Sequence, residues 1–234
     1  MADIKTFKAV LYNPEKVDLS RIIMPPYDII RDSSVYYEKD PYNIIRIDKG
    51  EPEETDDEKN NKYTRAGGFI DAWLREGVLL RDEKESIYVY SQEYRTPDGK
   101  KHEMAGFFAA VKIEEFEKKI ILPHEKTHSG PKADRLELMR GTRSNTSPIL
   151  SLYFDEEKKV DAVIRGCMKK EKAFIDFSDE DDIRYRMWRL PDKEAPGIAA
   201  ALKEKQLFIA DGHHRYETAL NFRNEMKEKG AGEE

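Results

Sequence analysis

The stretch Leu207-Phe208-Ile209-Ala210-Asp211-Gly212-His213-His214-Arg215-Tyr216-Glu217-Thr218-Ala219-Leu220 constrains this chain more than any other. Four apolar residues suit a short buried strand, Asp211-Gly212 is a turn pair, and Tyr216, Ala219, Leu220 and Met226 recur at helical spacing. The pattern predicts a strand, a tight turn and a helix that starts near His213. A helix start carries unpaired N–H groups and a partial positive charge, so a glycine turn feeding one suits an anion. His213, His214 and Arg215 add donors that fork onto phosphate oxygens. The same residues also describe an ordinary turn and helix cap, with His and Arg solvated on the first turn. Histidine placement favours the anion site: of five histidines, His124, His128, His213 and His214 fall in two short clusters.

The second cluster lies in Leu122-Pro123-His124-Glu125-Lys126-Thr127-His128-Ser129-Gly130-Pro131-Lys132-Ala133-Asp134-Arg135, a polar loop between an apolar strand and a helix. Loops on rigid supports concentrate site residues. His124 beside Glu125 supplies an acid or base near neutral pH, and Lys132 and Arg135 are cations suited to phosphate. His124 and His128 at four-residue spacing would pair on a metal only in a helix. Gly130 and the two prolines argue against a helix there, and no third ligand is evident. A third candidate is Pro25-Pro26-Tyr27-Asp28, a stiff segment whose tyrosine can stack and whose aspartate can cap a turn or hold a cation.

At 234 residues the chain is long enough to bury a sizeable core in one large or two small domains. The net charge of −6 rules out a global basic field, so any anion site is local and nucleic acid is not an expected partner. No apolar run approaches the roughly 18 residues of a membrane helix, and Met1 is followed by Ala-Asp-Ile-Lys; no membrane partner and a cytoplasmic location are the expectations. The single cysteine, Cys167, excludes an internal disulfide and reads as a packed small apolar residue.

Along the chain, strands are expected over 6–12, 43–47, 86–95, 104–113, 148–154, 173–177, 184–190 and 207–210. Helices are expected over 62–76, 133–142, 160–170, 195–205 and the C-terminal stretch to 229. Thr96-Pro97-Asp98-Gly99 is a hairpin signal. Hairpins combined with strand-to-helix units predict an α+β fold, a mixed sheet with packed helices. Two portions are expected, 1–118 and 119–234, the second carrying both histidine clusters; one continuous domain is the alternative.

Pro-Pro-Tyr-Asp-Ile-Ile (25–30), Leu-Pro-His-Glu-Lys-Thr (122–127), Gly-Pro-Lys-Ala-Asp-Arg (130–135) and Ala-Asp-Gly-His-His-Arg-Tyr-Glu-Thr-Ala (210–219) together resemble the bacterial and archaeal family called domain of unknown function 1015. Its members are typically longer, so the resemblance implies an N-terminal portion. More remotely, Asp211 to Arg215 is similar to the phosphate loops of sulfiredoxins and of ParB-like free serine kinases. That similarity implies a ParB/sulfiredoxin-like strand–turn–helix phosphate site with Asp211, Gly212, His213, His214 and Arg215 as binders. The sulfiredoxin cysteine aligns with His213, so sulfinic acid reduction is not expected. Pro123-His124-Glu125 resembles the Pro-His-Glu of the kinases and implies Glu125 as general base, with His124 beside it, although the two motifs stand further apart here than a compact ParB-like domain needs.

The resemblance therefore implies a phosphotransferase that uses a nucleotide (ADP or ATP) with Mg²⁺ and acts on a small hydroxyl-containing metabolite. The alternative is a regulatory module that binds a nucleotide or phosphorylated ligand without turnover. Lys132, Arg135, Tyr27 and Asp28 are additional candidates. The sequence specifies no metal ligands and no oligomeric state.

Overall fold

The computed structural model describes residues 2–125, 127 and 129–230. Its strands are β1 (Ile4–Lys5), β2 (Val10–Tyr12), β3 (Leu79–Arg81), β4 (Tyr88–Arg95), β5 (Lys101–Phe108), β6 (Ala110–Val111), β7 (Ile121–Leu122), β8 (Leu150–Leu152), β9 (Ile175–Ser178), β10 (Arg184–Arg189) and β11 (Leu207–Asp211). Its helices are α1 (Leu19–Ile22), α2 (Ser34–Lys39), α3 (Ile45–Asp48), α4 (Lys62–Arg75), α5 (Ser129–Thr142), α6 (Lys159–Lys170), α7 (Ala195–Leu202) and α8 (His213–Glu228). The fold is α+β, but the strands form several small sheets in place of one: β1-β6, β2-β3, β5-β4-β10-β9 and β7-β11-β8. Among the described residues, no helix is long and apolar enough to cross a membrane.

Two compact units make up the chain, each drawing on both sides of residue 118. One comprises 1–21, 80–112 and 153–206; the other comprises 22–79, 113–152 and 207–234.

The first unit is built on the antiparallel sheet β5-β4-β10-β9. Thr96-Pro97-Asp98-Gly99 joins β4 to β5 as its composition predicts, with Arg95 opposite Lys101 and Gly99 at φ 80°, which glycine adopts without a Cβ clash. Asp179 to Asp182 likewise turns β9 into β10. One face of the sheet buries Ile87, Val89, Trp188 and Leu190 against Val160, Ile164 and Cys167 of α6 and Ile198 and Leu202 of α7. Asp155 caps α6, accepting from the amides of Lys159 and Asp161. Cys167 is 5 % exposed and burial pushes its thiol up to about 11, in keeping with a packed apolar role. It borders a cavity of about 220 Å³ that contains none of the motif residues.

The second unit carries the motifs. Helix α4 starts at a capping box in which the Asn61 side chain accepts from Thr64 N–H and the Thr64 hydroxyl accepts from Asn61 N–H. Helices α4 and α5 cross closely through Gly67 and Gly141: a Cβ on Gly67 would lie 2.5 Å from the Gly141 carbonyl oxygen. Any larger residue at this crossing would force α5 away from α4.

Four expectations fail, one of them at 104–113, which breaks at Ala109 into β5 and β6 in different sheets. Residues 43–47 form no strand; Ile45 and Ile47 alternate in burial as a strand would, but Asn43 accepts from Ile45 N–H through its side chain and α3 follows. The segment 6–12 is no single strand, since β1 and β2 are separated and Phe7 bridges to Ser86 alone. Helix α5 begins at Ser129, not Ala133, and contains Gly130 and Pro131. Pro131 is tolerated because the first-turn amides of a helix have no intrahelical acceptor, so its missing N–H costs no bond.

Candidate functional site

Strand β11 is the centre of the sheet β7-β11-β8, and its two neighbours determine what it brings together. It runs parallel to β7, with Leu207 opposite Ile121 and Phe208 opposite Leu122. Parallel neighbours end at the same edge of a sheet, and loops leaving that edge converge. Here the loop after β7 is Pro123-His124-Glu125 and the turn after β11 is Gly212, so two motifs distant in sequence meet. Strand β8 pairs antiparallel on the other side, Phe208 opposite Leu152, which makes the sheet mixed.

Gly212 has φ 98° and ψ 30°, left-handed backbone that glycine accepts most readily, and α8 starts at the next residue with no side chain capping it. A Cβ on Gly212 would approach Cζ and Nε of Arg215 to 3.0 Å. Arg215 thus lies across the turn. Its guanidinium donates to the Asp211 carboxylate and to the Pro148 carbonyl.

His213 points inward and is 2 % exposed. Its Nδ1 lies 2.9 Å from Glu125 Oε1, and its Nε2 lies 3.2 Å from the backbone nitrogen of His124. An amide N–H only donates, so Nε2 is the acceptor and Nδ1 carries the proton that Glu125 accepts. Burial lowers the pKa of His213, outweighing the raising effect of Glu125, so the ring is neutral at neutral pH. His124 packs edge to face on His213 at 4.5 Å between centroids. Its Nδ1 is 2.8 Å from the Ile209 carbonyl oxygen, which fixes the proton on that nitrogen and leaves Nε2 with its lone pair.

The sequence offered no third ligand beside the histidines, but the fold does. His124, Glu125 and His213 each present a ligand atom within 4.8 Å of the others. His124 sits in a loop and not on a helix, and His128 lies outside the described residues. The cluster does not suit the Mg²⁺ expected with a nucleotide, because imidazole nitrogens are poor partners for Mg²⁺.

The remaining candidates pair with their neighbours. Lys132 Nζ is 2.7 Å from Glu217 Oε2. Arg135, 7 % exposed, donates to Asp134 and to Asp48, and its guanidinium stacks 4.0 Å from the centroid of the Tyr27 ring. Lys49 holds the Pro-Pro-Tyr-Asp loop by donating to the Tyr27 carbonyl at 2.9 Å. Asp28 is exposed. Burial raises the Tyr27 pKa against the opposing field of Arg135.

Sequence reading missed Asp48, which is 1 % exposed and accepts from Arg135, Thr146 and Ser147. Pro148, which follows Ser147 in sequence, supplies the carbonyl to which Arg215 donates. A small open crevice of about 30 Å³ lies among Asp48, Arg135, Ser147, Arg215 and Thr218. The polar run Arg143-Ser144-Asn145-Thr146-Ser147 before an expected strand was the available signal.

No curated protein and no solved structure matches this chain. A family model described as "Protein of unknown function (DUF1015)" matches residues 4–234, nearly the whole length. The chain belongs to the DUF1015 family.

Proposed function

We propose that this chain is a nucleotide-dependent phosphotransferase acting on a small hydroxyl compound. The observation that supports it is the hydrogen bond between Glu125 and His213, which joins the loop and the helix start whose sequences resemble ParB-like free serine kinases. In this reading Glu125 takes the proton of the substrate hydroxyl. The resulting oxygen attacks the terminal phosphorus, the bond from phosphorus to the nucleotide's bridging oxygen breaks, and the nucleotide leaves with one phosphoryl group fewer. The amides at the start of α8 and Arg215 receive the phosphate charge, and Arg215 releases Asp211 to do so. His213 orients the carboxylate through its Nδ1–H.

One observation favours the second reading, binding without turnover: Arg215, Lys132 and Arg135 are each ion-paired within the chain, which limits the positive charge available to a polyphosphate. Calorimetric titration with ADP, ATP and CTP in the presence of Mg²⁺ tests both. Binding of at least one is expected, and Arg215→Ala should weaken it about tenfold or more, the worth of a charge-assisted hydrogen bond. If none binds, the phosphotransferase fails, and so does the second reading as far as it concerns a nucleotide. If one binds but no nucleotide one phosphoryl group shorter appears over hours with a panel of amino acids and sugar alcohols, the regulatory reading replaces the enzyme.

A further inference from the structure

We infer that the His124–Glu125–His213 cluster holds a divalent transition-metal ion, with His124 Nε2 and the Glu125 carboxylate as ligands and His213 as their outer partner. The inference is independent of the nucleotide reading.

Three hydrogen bonds carry it, each of a kind found around metal sites. A ligating histidine typically gives its other ring N–H to a backbone carbonyl or a carboxylate, which fixes the tautomer and aims the ligand nitrogen. His124 does this with Ile209 O at 2.8 Å, leaving Nε2 as the one ring nitrogen of the histidine pair without a hydrogen bond among the described residues. Glu125 receives the second: His213 Nδ1–H holds Oε1 and leaves the carboxylate's remaining lone pairs for an ion. The third, from His124 N–H to His213 Nε2, locks the ring that holds the carboxylate. It also assigns His213 its role. Direct ligation through Nδ1 would place a proton on Nε2 against the His124 amide, so His213 supports the site and does not bind the ion.

The three side chains each bring one ring nitrogen or carboxylate oxygen within 4.8 Å of the others, whereas donors on one ion at about 2.1 Å stand about 3 Å apart. The required closure is available because His124 and Glu125 are both exposed and Glu125 is 53 % accessible, while the buried His213 stays fixed. A mixed imidazole and carboxylate set selects zinc, cobalt or manganese over Mg²⁺, and two protein ligands leave positions for water or a ligand oxygen.

The test uses Co²⁺ as the probe, followed by its visible absorption, on the full chain freed of metal with a chelator and without nucleotide. One equivalent is expected to bind, to be displaced by Zn²⁺ and to resist excess Mg²⁺. His124→Ala and Glu125→Gln, both at exposed positions, are expected to weaken binding about tenfold or more. His102→Ala, which alters a histidine stacked on Tyr94 in the other unit, is expected to leave it unchanged. Co²⁺ binding equal in wild type and His124→Ala, or binding lost with His102→Ala, overturns the inference, as does displacement by equimolar Mg²⁺. A chain that binds Co²⁺ here but no nucleotide keeps this inference and loses the proposed function; the converse loses only this inference.

Discussion

The two units solve the problem of an interior differently. Beneath its four-stranded sheet the first buries Ile87, Val89, Trp188, Leu190 and Ile198, and its buried polar residues are two serines, Ser86 and Ser91. The second buries Asp48, Glu114, Arg135 and His213, all the buried Asp, Glu, Arg and His side chains among the described residues. Burying a charge costs several kcal/mol before its partner offsets it, and an apolar side chain of similar size is often as good for stability. A fold that needs only cohesion has little reason to accept such groups. They are confined to the unit that carries all the sequence motifs.

The sharpest way to break this contrast is Asp48→Ala. It strips Arg135, Thr146 and Ser147 of their shared acceptor and leaves a guanidinium buried with fewer partners, at an expected cost of about 3–5 kcal/mol. The two tryptophans fall one to each unit, Trp73 in the second and Trp188 in the first, so urea unfolding followed by fluorescence in Trp188→Phe and Trp73→Phe backgrounds reports each unit separately. A loss below about 1 kcal/mol in the Trp73 signal would mean that the polar interior is incidental.

A smaller effect is expected from Gly212→Ala. The added Cβ meets Arg215 at 3.0 Å and the backbone must keep a positive φ, so about 1–2 kcal/mol of stability should go, with Arg215 displaced from its contacts. Thermal unfolding measures the first, and loss of nucleotide affinity out of proportion to it would show that the turn belongs to the site.

The smallest concerns acid. Burial pushes the Asp134 carboxyl up, but hydrogen bonds from Lys62 and Arg135 outweigh it and bring the pKa down to about 2. A depressed carboxyl contributes stability above its unfolded value near 4 and loses it as pH falls toward 2. About 1–2 kcal/mol, discounted for solvent screening, should disappear over that window in wild type and not in Asp134→Asn. An equal acid slope in both would remove Asp134 from the network.

Much of the second unit's site was legible because its signals are local. Gly212 could be read as a turn from its neighbours alone, and the strand before it and helix after it follow from periodicity. That Pro123-His124-Glu125 lies beside this turn was legible only through resemblance, since parallel pairing of β7 with β11 leaves no mark in either segment. Asp48 was invisible for a related reason: it ends a four-residue helix whose isoleucines alternate in burial like a strand, and its partners Thr146 and Ser147 are remote in sequence. Lys132 and Arg135 were read as cations open to phosphate because a sequence shows charge but not the acidic side chain that will face it.

The place of β11 between β7 and β8 has a consequence for how the chain acquires its shape. Both flanking strands leave the ribosome well before residues 207–211, and neither pairs with the other, so each waits with an open hydrogen-bonding edge for a strand that is made last. Closure across such long loops is slow, and Glu125 has no His213 to meet until the same moment. The mixed sheet and the histidine cluster therefore come into being together, at the end of synthesis of this stretch.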